Sequence, residues 1–171
     1  APAAEQRYPA VVNWVTKFVT GRYEKTKRRA CFGGNRCDKS ASDCFAPTAK
    51  FISVLIILCL CSMFGWAATG LDFSQAYLNA KVDEICYMKP PMRERDDDGE
   101  ELYWKMCKGI LYGHGHPRGA ALWNNTLAST FKDYGFQQLR ADSRAYIKWK
   151  DNAAFCIAVT RSDDCIFVSN V

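Results

Sequence analysis

The sequence predicts an α+β fold, and three observations predict it. An apolar segment, free of charge from Phe51, carries a helix that opens at Pro47 and runs to about Phe64, which suits burial. A second segment, Ala120 to Tyr134, sets Leu122, Trp123, Thr126, Leu127, Thr130 and Phe131 at helical spacing and stops at Gly135. Around these stand short apolar runs bounded by Gly, Pro and Asp turns, which read as strands of an antiparallel sheet for the helices to pack against.

One alternative remains open for the first helix. No charged residue lies between Lys50 and Asp72. The 20 residues from Ile52 to Leu71, at about 1.5 Å each, would cross a hydrocarbon core of about 30 Å. Ser53, Ser62 and Thr69 give little polar relief, Lys50 and Asp72 are acceptable flanks, and Trp66 sits where an interfacial aromatic would. The segment is therefore either a buried helix or one transmembrane helix near 51–71, as in a membrane-embedded accessory subunit. Gly65 and Gly70 interrupt the run and favour a turn from helix to strand.

The 171 residues suffice for one domain spanning 1–171, with a sizeable core. A net charge of +5 admits a nucleic-acid or anionic-membrane partner without requiring one. Nine cysteines are an odd number, and several lie in apolar runs, so an intracellular, reducing compartment is expected. Cys31, Cys37 and Cys44 with His114 or His116 lack the two-residue ligand spacing of structural zinc sites. No secretory signal is visible, since Asn13 and Lys17 break the apolar stretch Val11 to Val19, and the sequon at Asn124 means little without one. The chain opens Ala1-Pro2 without Met, as a processed product or a fragment would.

In chain order, Val11 to Phe18 reads as a strand. The basic cluster Arg22, Lys25, Lys27, Arg28 and Arg29 passes into an apolar strand closed by Gly33-Gly34, and charge alone makes it a solvated face. Residues 35–46 read as a loop, the helix follows, and then comes a strand ending at Asp72. Ser74 to Leu78 opens a turn or helix, Ile85 to Met88 is a strand stopped by Pro90-Pro91, and Asp97-Asp98-Gly99 is a hairpin turn returning through Leu102 to Met106. His114 to Gly119 is irregular. After the second helix come strands at Phe136 to Leu139, Ala145 to Trp149 and Phe155 to Val159, then the turn Arg161 to Asp164 and a last strand, Cys165 to Val168.

If the strands ending at Asp72 and starting after Asp164 are neighbours, Asp72, Asp163 and Asp164 form one acidic cluster. Three carboxylates suit two divalent ions about 3.5 to 4 Å apart, the arrangement that nucleotide-transferring enzymes use. At these residues the chain resembles the reverse transcriptases of copia-type retrotransposons. The likeness extends from about Tyr23 to Asn170. It is carried by Lys27-Arg28-Arg29, Phe45-Ala46-Pro47-Thr48-Ala49-Lys50-Phe51, Leu71-Asp72-Phe73-Ser74-Gln75-Ala76-Tyr77-Leu78-Asn79 and Ile85-Cys86-Tyr87-Met88-Lys89-Pro90-Pro91. Leu111-Tyr112-Gly113, Leu122-Trp123-Asn124 and Ser162-Asp163-Asp164 complete it.

The resemblance implies a fingers and palm arrangement with Asp72, Asp163 and Asp164 as metal-binding catalytic carboxylates and Mg²⁺ or Mn²⁺ as the cofactor. It implies nucleotide contacts from Lys27 and Arg29 to the triphosphate and from Tyr77 to the sugar, excluding a 2′-hydroxyl. The partners implied are an RNA or DNA template-primer and a dNTP; a non-catalytic copy would instead serve as a subunit of a larger assembly. Two departures stand out: His114-Gly115-His116-Pro117 replaces a Leu-Lys-Gln segment, and Arg161-Ser162 replaces an apolar or aromatic residue and Val before Asp163. With no thumb, connection or RNase H segment, a truncated or decayed copy is expected.

Overall fold

The charge-free segment splits at Gly65 into a helix and a strand. The computed structural model describes residues 6–8, 10–19, 22–32, 44–80, 86–90, 94–105 and 116–170. In chain order the elements are β1 (Gln6–Tyr8), β2 (Ala10–Val19), β3 (Arg22–Phe32), α1 (Phe51–Phe64), β4 (Ala67–Asp72), β5 (Cys86–Met88), β6 (Trp104–Lys105), α2 (Gly119–Asp133), β7 (Gln137–Gln138), β8 (Ala145–Trp149), β9 (Phe155–Arg161) and β10 (Asp164–Ser169). A short 3-10 helix, Ala76–Asn79, follows β4. Contacts divide the chain into two compact units: Ala1–Cys44 with Tyr77–Leu122, and Phe45–Ala76 with Trp123–Val171.

Helix α1 begins later than Pro47 suggests. Lys50 is extended, with φ −67° and ψ 130°, and is the N-cap. The reason lies far along the chain: the Asp142 carboxylate accepts the Lys50 backbone N–H at 2.8 Å, and Lys50 Nζ donates to the Ala141 carbonyl at 2.8 Å. At the other end Gly65 takes a left-handed φ of 67°, and the Trp66 N–H closes on the Cys61 carbonyl at 3.1 Å. A glycine accepts that conformation without the steric cost a Cβ would bring.

The 14 residues of α1 extend only about 21 Å, short of the roughly 30 Å of a hydrocarbon core. No described helix is long and apolar enough to cross a membrane. The transmembrane alternative for 51–71 is thereby overturned, because the left-handed turn ends the helix and Ala67–Asp72 pairs as a strand.

The second unit holds a five-stranded sheet in the order β4-β10-β9-β8-β7, antiparallel throughout. Alternate residues of a strand face opposite sides, so one sheet serves two helices. On one face Ile57 and Cys61 of α1 join Ala145, Val159 and Val168 in a buried cluster. On the other, Phe131 of α2 stacks on Tyr146 with centroids 4.6 Å apart and meets Phe167 at 6.0 Å. Helix α2 matches its periodicity, and Gly135 at φ 83° follows it.

Two strand boundaries differ from expectation. Phe136 to Leu139 pairs only at Gln137–Gln138. Arg161 and Asp164, expected in a turn, instead pair with each other across β9 and β10, which leaves a turn of Ser162 and Asp163. Ser162 has φ 53°, the left-handed conformation that two-residue hairpin turns require at their first position.

In the first unit β2 and β3 form an antiparallel ribbon, so the basic cluster is itself a strand. A separate sheet has the order β1-β5-β6, with β1 parallel to β5. The acidic hairpin forms as expected: Arg95 bridges Glu101, Gly99 has φ 86°, and Asp96 Oδ1 accepts the N–H groups of Asp98 and Glu100. Its return strand pairs at Trp104–Lys105 only, Met106 lying outside the described residues. The Gly33-Gly34 turn, Cys37, the 35–43 part of the loop and residues 106–115, His114 among them, also lie outside.

Candidate active site

Sheet register brings two of the three carboxylates, those of Asp72 and Asp164, to paired positions. Asp72, the last residue of β4, is the direct cross-strand partner of Asp164, the first residue of β10. Asp163 occupies the adjoining turn, and its carbonyl accepts the Phe73 N–H at 2.7 Å, tying the end of β4 to the hairpin. Direct partners in an antiparallel pair share a sheet face, so Asp72 and Asp164 project to the side on which α1 packs. Both line a cleft of about 520 Å³ with Phe51 and Val54 from the start of α1 and with Arg161.

Arg161 completes a row across three strands. Asp164 pairs with Asp72 on one side and Arg161 on the other, which sets carboxylate, carboxylate and guanidinium side by side. Opposite carboxylates at directly paired positions repel, and the Arg161 cation offsets part of that repulsion. Among the described residues no ion pair closes between Arg161 and either Asp. All three side chains and that of Asp163 are exposed.

A divalent ion fits these residues in part. Mg²⁺ is commonly held by one or two carboxylates with substrate phosphates completing its shell, and the Asp72–Asp164 pair supplies that many from adjacent strands. Among the described residues no group of three or more His, Cys, Asp and Glu side chains forms a ready-made metal cage.

The other site residues belong to the first unit. Tyr77 lies half-buried in the 3-10 helix Ala76–Asn79. Lys27 and Arg29 lie two apart in β3, at positions paired with Val15 and Asn13 of β2. His116, considered as a metal ligand, is buried before α2, where its Nδ1 accepts the Arg118 backbone N–H at 3.1 Å. Burial, with a smaller effect from the Arg118 charge, pushes its pKa down to about 4 and keeps the imidazole neutral.

Residues 4–171 match a family model described as reverse transcriptase (RNA-dependent DNA polymerase). The chain belongs to that family. It is also similar to a Saccharomyces cerevisiae protein titled "Putative transposon Ty5-1 protein", with 26% identity over 93 residues, which cover 54% of this chain and 29% of that one. The chain thus matches under a third of that relative's length. No solved structure matches it.

In this reverse transcriptase family chain, two groups support the hairpin through contacts that the local sequence does not signal. Trp123 of α2 is buried, and its indole Nε1–H donates to the Ser162 carbonyl at 2.7 Å. Arg144, 1% exposed, donates to the Thr160 carbonyl and, through Nη1, to Asn124 Oδ1. The sequon asparagine is therefore engaged inside the unit. Asp142 holds the same region from below, accepting the backbone N–H groups of Lys50 and Arg144. Burial raises its pKa, but hydrogen bonds from Ser53, Arg144 and Lys50 and the Lys50 charge outweigh that and hold it below 3.8. Trp123 lies 39 residues from its acceptor and Asp142 lies 92 from Lys50, separations that no local pattern encodes.

Proposed function

We propose that this chain is the fingers and palm portion of an RNA-directed DNA polymerase, with Asp72, Asp163 and Asp164 as its metal-binding carboxylates. The observation that supports this most is the direct pairing of Asp72 with Asp164 beside the Asp163 turn. Setting two carboxylates opposite one another costs stability unless a cation is to be held there. When bound, Mg²⁺ or Mn²⁺ would activate the primer 3′-hydroxyl and neutralise charge on the transferred phosphates. Lys27 and Arg29 would meet the triphosphate, and Tyr77 would stand against the sugar and exclude a 2′-hydroxyl. The partners are then a template-primer and a dNTP. The free thiols of Cys44, Cys59, Cys61, Cys156 and Cys165 suit an intracellular, reducing compartment.

Primer extension on an RNA template tests this. The full chain is expected to add dNTPs only with Mg²⁺ or Mn²⁺, and Asp163→Asn to lower the rate at least about a thousandfold. Undiminished extension by that variant would sink the assignment. Arg161 in the carboxylate row favours a second reading, a non-catalytic descendant serving as a module of a larger assembly. That reading predicts a folded chain with no extension, so metal-dependent extension by the wild type excludes it.

A further inference from the structure

We infer that Trp123 is a positioning residue that latches together the two chain segments bearing the acidic residues. This rests on the polymerase reading for its consequence in activity, but the latch itself is a matter of geometry. Ser162 sits at φ 53°, a conformation that costs a residue with a Cβ, so the turn needs something to hold it. The Trp123 indole supplies it by donating Nε1–H to the Ser162 carbonyl at 2.7 Å. The same ring meets Phe73, the residue after Asp72, edge to face with centroids 5.5 Å apart. Phe73 then closes the loop, its backbone N–H donating to the Asp163 carbonyl at 2.7 Å.

One side chain from α2 thus touches both sides of the carboxylate pair, by a hydrogen bond on one and ring packing on the other. Trp123 is 5% exposed, so it does this from within the unit and not from the cleft. Indole has a single polar atom, a donor, and that donor is spent on the turn. Phenylalanine would keep an aromatic ring beside Phe73 but delete the hydrogen bond, leaving the Ser162 carbonyl without this donor, together with the packing of the part of the indole that a smaller ring does not fill. The register of Asp72 against Asp164 would then be held without the indole hydrogen bond to the turn.

Hydrogen exchange of the Trp123→Phe chain tests this without activity or metal. The Phe73 amide is expected to exchange about tenfold faster or more, while the amides of Ile157 and Val168 in the sheet interior keep their protection. Unchanged Phe73 exchange would overturn the inference, as would equal acceleration of all three amides, which would mark a general loss of stability. In primer extension the same variant should lose about tenfold in kcat with the dNTP KM within about twofold; a full rate contradicts the inference. If the wild type extends nothing, the polymerase reading fails while the exchange result still decides the role of Trp123. Should Trp123→Phe not fold, the wild-type indole N–H decides: slow exchange supports the latch, and exchange at the rate of free indole overturns it.

Discussion

Arg161 is the residue most at odds with the chemistry proposed for its neighbours. Paired directly with Asp164, it adds a positive charge where a divalent ion would sit, and like charges compete. Arg161→Gln should therefore bind Mn²⁺ about two- to fivefold more tightly, measured by titration with paramagnetic resonance detection. Weaker binding would mean that the guanidinium supports the site. Cys165, the next residue after Asp164, is the opposite case of a group made inert. It is buried, and burial pushes its thiol pKa up to about 12. Iodoacetamide at neutral pH should label the exposed Cys59 in the folded chain and leave Cys165 unlabelled until it unfolds. The pairing of Asp72 with Asp164 was open to a sequence reading because one ends an apolar run and the other begins one. The position of Arg161 was not, since it depends on a turn of two residues where four were expected.

Among the elements, α1 depends on its two ends. Gly65→Ala would place a Cβ at φ 67° in open space, so the cost is conformational and should be about 1 kcal/mol by denaturant unfolding. No loss would mean that the left-handed cap is not what stops the helix. Asp142→Ala removes the acceptor of one buried and one part-buried N–H group and should cost about 2 kcal/mol. The lowered Asp142 pKa stabilises the fold above the ordinary carboxylate value of 3.8 and is lost as pH falls further. His116 acts at higher pH. Its pKa is depressed from 6.5 to about 4, so the stability it carries is full above 6.5 and declines as pH falls toward 4. Unfolding measured from pH 7 to pH 4 should show this decline in the wild type and a shallower one in His116→Gln. Helix α2 was readable from its period because its own residues supply the apolar face. The start of α1 was not, because Asp142, ninety-two residues away, overrides the local preference of Pro47 for a helix start.

For the whole molecule, family membership was legible because its motifs are local words in a fixed order, and the match over residues 4–171 establishes it. The transmembrane alternative arose from composition alone, which cannot distinguish one 20-residue helix from a helix and a strand joined at a glycine. Tertiary support for the candidate site was hidden in the same way, since Trp123 meets the hairpin only after the chain has folded. The metal site proposed here is the pair Asp72 and Asp164 on adjacent strands, with Asp163 beside them. Mn²⁺ titration of the full chain, followed by paramagnetic resonance, tests it most directly. Binding is expected to weaken at least about tenfold in both Asp72→Asn and Asp164→Asn, with unfolding midpoints no lower than the wild type because the repulsion between the pair is relieved. Mn²⁺ affinity unchanged in both variants would contradict it.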